Sequence, residues 1–171
     1  MKVLKIIFSL IVIIGLAFGG RLFWLGKKSI SQIGNVGIEN GHLKACGKKP
    51  NCVSSQADPE SEAYMDPIKD PNIEGVWDNI NVMLPDMGLK LQNTAENYLH
   101  FTESSPFFGF VDDIEFMLNV EDGTIEMRSQ SRVGYSDMGV NRKRLEKIRK
   151  AVAPPLTNYQ DNPERQENQD E

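Results

Sequence analysis

The stretch that most constrains this chain is Phe110–Val152, FVDDIEFMLNVEDGTIEMRSQSRVGYSDMGVNRKRLEKIRKAV. Two alternating apolar/polar runs flank Asp122-Gly123. A two-residue type I′ turn needs positive φ at both central positions, and Asp-Gly tolerates that, so the pair predicts a hairpin. With this turn Glu121 faces Thr124, Val120 faces Ile125, Leu118 faces Met127, Phe116 faces Ser129 and Ile114 faces Ser131. One face is then mostly apolar. The other sets Asp113 against Arg132 and Met117 against Arg128, with Glu115 diagonal to both arginines. Opposite charges paired across strands contribute about 0.2–1 kcal/mol each. A slip of one residue would turn the apolar row to water and split these pairs.

A polar loop, Ser131–Arg142, leads from the hairpin into a helix. Asp137 is expected to cap that helix, because its carboxylate can accept from first-turn amides. Leu145, Ile148 and Val152 repeat at helical spacing, with Asn141 one turn earlier on the same face. The expected exposed face carries Arg142, Lys143, Arg144, Lys147, Arg149 and Lys150 against Glu146. Such a run reads as a solvated face partly neutralised by the acidic tail, or as a surface for anionic lipid headgroups.

Three stretches carry a family resemblance: RSQSRVGYSDMGVNRKRLEKIR, the upstream FVDDIEF, and the earlier CGKKPNCVSSQA. Together they resemble the domain of unknown function 1499 family over Leu43–Val152. The resemblance implies an exported or membrane-associated bacterial protein; similar domains occur in plastid lumen proteins. It implies no established activity, so it supplies no catalytic residue.

At 171 residues the chain allows one domain plus ends. Its net charge of −5 is unevenly placed, since Thr157–Glu171 holds five acids and one base. The near-neutral remainder argues against nucleic acid as a partner. Residues 1–28 are a targeting or anchoring segment. Lys2 and Lys5 precede Ile6–Gly20, which is apolar except for Ser9; after Arg21, Leu22–Leu25 resumes before Lys27-Lys28. A span needs about 20 apolar residues and a signal core about 7–15. With Arg21 snorkelling and Trp24 at the headgroups, Ile6–Leu25 is long enough to cross. We read a single-pass signal anchor with the domain on the extracytoplasmic (periplasmic) side. The alternative is secretion after cleavage behind Ala17-Phe18-Gly19.

Cys46 and Cys52 enclose five residues outside any periodic segment. In an exported protein the pair is a disulfide candidate. A metal reading would add His42, but that spacing matches no common zinc pattern and lacks a fourth ligand. Redox catalysis favours a closer pair. No metal or cofactor is expected.

Residues 29–42 read as a tether. Gly41–Met65 is turn-rich, with Val53 and Tyr64 as possible anchors. Its Ser54-Ser55 pair reads as turn serines rather than a nucleophile. Asp70-Pro71 opens a helix whose apolar stripe is Ile73, Val76, Trp77, Ile80, Met83 and Leu84; Pro85 and Gly88 end it. Strands follow at Leu89–Asn93 and Tyr98–Ser104, and Phe107–Phe110 is expected to cover an end of the core. The expected fold class is α+β: a four-stranded antiparallel meander with two helices on one face, preceded by the anchor helix. It occupies residues 43–153, and 154–171 are expected to form a disordered acidic tail.

The candidate site is Arg128, Arg132, Tyr135, Asp137, Asn141 and Arg142. Free helix-start amides flanked by guanidinium groups suit a small anion or a protein partner. The structural alternative is a sheet-surface ion network with Asp137 as a cap and Asn141 as a satisfied buried amide. An enzyme would draw on Asp112, Tyr135, Asp137 and an arginine. Asp112 and Asp113 are adjacent in a strand and point to opposite faces, so they cannot flank one bond. His100 reads as a surface or satisfied residue.

Overall fold

The computed structural model describes residues 2–153. The expected acidic tail lies outside them. The helix–four strands–helix order holds. Helix α1 covers Lys2–Ser31 and α2 Ile73–Asp86. The meander is β5 (Lys90–Ala95), β6 (Tyr98–Ser104), β7 (Val111–Asn119) and β8 (Thr124–Ser131), followed by α3 (Val140–Val152). Four short strands precede them: β1 (Ile38–Glu39), β2 (His42–Leu43), β3 (Cys52–Ser54) and β4 (Ile68–Lys69).

The hairpin forms with a longer turn than Asp-Gly predicts. Leu118 pairs with Ile125, Phe116 with Met127, Ile114 with Ser129 and Glu115 with Arg128. The connection is therefore the four residues Val120–Gly123, and only Gly123 takes positive φ (60°). Asn119 explains the difference. Its side chain accepts from the Asp122 amide at 3.2 Å and donates to the Asp122 carboxylate at 2.6 Å. That closes a turn which leaves Asp122 in ordinary backbone space. The register moves by two residues, so every side chain keeps its face.

The sheet is wider than four strands because β8 acquires partners from the turn-rich segment. Strand β3 pairs with the far half of β8 and β4 with its near half, so the order is β3-β8-β7-β6-β5 with β4 also on β8. Val53 anchors the segment as expected, but Met65, not half-buried Tyr64, is its second core residue. Ser55 continues the pairing through its side chain, with Oγ accepting from the Met127 amide at 2.8 Å and donating to Glu126 at 2.5 Å. At the opposite edge, β5 is exposed along its length and carries a bulge between Leu91 and Asn93.

Both helices lie on one face. Ile73, Val76, Trp77, Ile80 and Leu84 of α2 meet Leu145, Ile148 and Val152 of α3 over Leu99, Phe101, Ile114, Phe116, Ile125 and Met127. Asn72, rather than Asp70, caps α2, accepting from the Gly75 amide; Asp70 instead receives the Asn72 amide and turns the chain in. Gly88, at φ 90°, lets the Leu89 amide reach back to the Leu84 carbonyl and close α2.

The second face of the sheet is buried too, by the segment read as a tether. Ser29 is fully buried; its hydroxyl accepts from the Val111 amide at 2.8 Å and lies 3.3 Å from the Val111 carbonyl. Gly34 abuts Asp113 so closely that a β-carbon there would collide with the carboxylate. Leu43 closes over Tyr98 and Met117. Residues 29–43 thus belong to the packed unit. Phe107–Phe110 does not cap the core: Phe107 is 90% exposed and Phe108 36%.

Helix α1 is long and apolar enough to cross a membrane by length and composition. From Val3 to Phe18 its large side chains are exposed on all sides, so nothing in the described chain covers them.

Candidate functional site

Two polar clusters sit back to back on the sheet. On the face covered by residues 29–43, Arg128 and Glu115 form a fully buried ion pair. Glu115 also accepts from the Tyr98 hydroxyl at 2.8 Å and the Gly37 amide at 2.6 Å, and Arg128 also donates to Gln130. Beside them Arg132 grips Asp113 through Nε (2.9 Å) and Nη2 (2.8 Å), while its Nη1 donates to the Gln32 carbonyl. His100 Nε2 lies 2.8 Å from the same carboxylate. Burial pushes the Asp113 carboxyl upward, but the His100 and Arg132 hydrogen bonds and charges outweigh it, leaving the group below its ordinary range. The bond to Asp113 holds the Arg132 guanidinium above its own range. Burial, then the charge and hydrogen bond of Glu115, pushes the Tyr98 hydroxyl upward.

On the α3 face the hub is Asn141, fully buried. Its Oδ1 accepts from Ser129 at 2.6 Å and Arg144 at 2.5 Å; its Nδ2 donates to the Asn51 carbonyl at 3.0 Å and to Ser131 Oγ at 3.1 Å. Arg144 continues to Asp112 (2.6 Å) and Glu103 (2.5 Å). Arg144 therefore leaves the expected solvent face, as do Arg142, which donates to the Glu62 and Tyr64 carbonyls, and Arg149, which donates to the Asp66 carbonyl. Lys143, Lys147 and Lys150 remain exposed.

Between the clusters runs the loop from Arg132 to Gly139. Asp137 accepts from the Gly139 amide at 3.1 Å and the Asn141 amide at 2.8 Å, so it caps α3 from two residues before the formal cap, Gly139. Asn51 donates to the Ser131 and Gly134 carbonyls and holds the start of the loop. Asn51 precedes Cys52, which is bonded to Cys46. Met138 sits at φ 55°, a backbone state costly for a residue with a β-carbon. At the surface Tyr135 is 73% exposed, Met138 91% and Val140 47%.

The six candidate residues thus do not converge. Arg128 and Arg132 point to the face of residues 29–43, Asn141 to the α3 face, and Arg142 to backbone carbonyls. Asp137 is engaged by amides, and Tyr135 faces solvent. The alternative catalytic set divides likewise: Asp112 is held by Arg144 on the α3 face, whereas Arg132 is held by Asp113 on the other. Arg144 was legible, since it stands three residues after Asn141 and four before Ile148, beside the buried stripe. Asn51 carries no such signal; its role arises only when the disulfide loop lies against β8.

No curated protein and no solved structure matches the chain. The family model described as protein of unknown function (DUF1499) matches residues 42–152. That span holds the side chains of both polar clusters, the Cys46–Cys52 disulfide and all six strands of the main sheet, and the chain belongs to this family of proteins of unknown function.

Proposed function

We propose that the protein is a membrane-anchored extracytoplasmic binding module. Its partner is another protein, and its contact is the Arg132–Val140 loop. The observation that carries this reading is the exposure of Tyr135, Met138 and Val140 on a loop fixed by Asn51, Asp137 and Asn141. Binding residues are commonly loop residues held by a rigid scaffold, and strain at a non-glycine residue such as Met138 is a frequent companion. A small-anion role has less support, because Arg128, Arg132 and Arg142 already have acceptors and Asp137 occupies two of the amides at the start of α3.

Two features support the address. The disulfide suits an oxidising compartment. Phe23 and Trp24 are more than half exposed, and cleavage behind Gly19 would leave them in water, whereas an uncleaved α1 sets them at the bilayer surface. A mature protein that begins at Gly20 overturns the anchor. For the loop, a photo-reactive side chain at Tyr135 or at Lys147 in the full chain should give different adducts in cells. The Tyr135 adduct should disappear with Met138→Asp while the melting temperature holds. The same adducts from both positions would overturn the loop as the contact.

A further inference from the structure

The loop Ser105–Phe110 between β6 and β7 has no role in the binding reading. Its ends are tied together: the Ser105 amide donates to the Phe110 carbonyl at 2.8 Å, and the Gly109 amide to the Ser105 carbonyl at 3.1 Å. Its tip, Phe107-Phe108, is the most exposed aromatic pair outside α1. It also lies against α1. A β-carbon built on Gly26 would stand 1.6 Å from the Phe108 carbonyl oxygen, so helix and loop backbones touch at that point. Ile30, one turn further along α1, lies under Gly109. The loop therefore runs down the helix from Ile30 toward Gly26.

Gly26 marks a definite height. It is the first residue beyond the span Ile6–Leu25, apolar but for Ser9 and the snorkelling Arg21, and is followed by Lys27-Lys28. The Lys27 ammonium sits 5.4 Å from the Phe23 ring centre, and the Lys28 ammonium 5.5 Å from that of Trp24. Lysines folded back over aromatic rings just outside an apolar span are the pattern of the headgroup layer. At 1.5 Å of rise per residue, the Phe108 backbone stands within roughly one helical turn of the hydrocarbon edge. An aromatic pair left 36–90% exposed at that height has lipid as its natural cover.

We infer that Phe107 and Phe108 form a second membrane contact, dipping into the headgroup layer beside α1 and fixing how the domain sits on the bilayer. This rests on the reading of α1 as an anchor. Helix and loop then act as two points of one footing, locked by the buried Ser29–Val111 hydrogen bonds.

The test is fluorescence quenching of the full chain in phosphatidylcholine/phosphatidylglycerol vesicles whose acyl chains are brominated near the headgroup. The native tryptophans are Trp24 on α1 and Trp77 in the core. The native chain compared with Trp24→Phe reports whether α1 is inserted. Phe107→Trp in the Trp24→Phe background reports the loop, against Trp24→Phe alone as the unquenched reference. The expected result is strong quenching of Trp24 and a loss of emission from the Phe107→Trp chain that the Trp24→Phe reference does not show, as for an indole at the membrane–water interface. Quenching of Trp24 without any at position 107 overturns the loop contact while the anchor stands, and assigns Phe107 to a protein surface. Quenching at neither position overturns the anchor and the loop contact together.

Discussion

The two faces of this sheet are buried to a similar degree by opposite means. Under α2 and α3, Phe101, Ile114, Phe116, Ile125 and Met127 are fully enclosed with apolar neighbours. Under residues 29–43, Glu115, Arg128, Asp113 and His100 are enclosed with one another. The first face is stabilised by area removed from water, about 25 cal/mol per Å². The second gains little net energy, since desolvation offsets attraction, but it tolerates no missing partner. The contrast teaches where each face is fragile: the apolar face to lost volume, the charged face to a lost partner.

The strongest way to break the comparison is Glu115→Ala. It leaves Arg128 enclosed and unpaired and should cost about 3–5 kcal/mol, as much as Phe116→Ala on the other face. The double replacement Glu115→Leu with Arg128→Met should recover part of that loss, because both charges leave together while the Tyr98 hydroxyl and the Gly37 amide still lose their acceptor. Urea titration of the full chain in detergent micelles measures all three; a double variant as weak as Glu115→Ala would show that the hydrogen-bonded cluster around the pair, and not the pairing of charge alone, stabilises the fold.

Acid should find the charged face next. The Asp113 carboxyl lies below its unfolded range, so its contribution is present above about pH 4 and is lost as pH falls through the native value. The melting temperature should therefore drop more steeply on acidification for the native chain than for Asp113→Asn. Equal acid limbs would remove Asp113 from the account. Tyr98 acts with the opposite sign, since its raised hydroxyl contributes fully below about pH 10 and less as pH rises beyond it. The smallest effect belongs to neither face: Lys147→Ala, on the exposed side of α3, should change stability by under about 0.5 kcal/mol in the same titration.

The apolar face was legible from periodicity alone. Helix α2, β6 and the alternation of β7 and β8 follow from residue spacing, which survives a two-residue error in register. The charged face was only half legible. Spacing makes Asp113, Glu115, Arg128 and Arg132 neighbours, but on an open surface, because nothing in residues 29–43 has the period of a helix or strand. What covers that face is a set of single contacts by Ser29, Gly34, Gly37 and Leu43, and no pattern announces them. The same holds for Asn51, and for β3 and β4, which are too short for alternation to register. For the candidate site, spacing sets Arg128 and Arg132 on the charged face and Asn141 on the buried face of α3, but it carries no sign of the cover that occupies the arginines and separates the two sides.

The bulge in β5 has a consequence for how copies of this protein meet. A free outer strand invites a second chain to add its own backbone, which is how ladders and fibrils start. Here the extra residue at Gln92 breaks the row of amides and carbonyls, and Lys90 puts a charge at its start. A copy approaching that rim finds no continuous line of partners, so the rim is a poor template for strand-on-strand association.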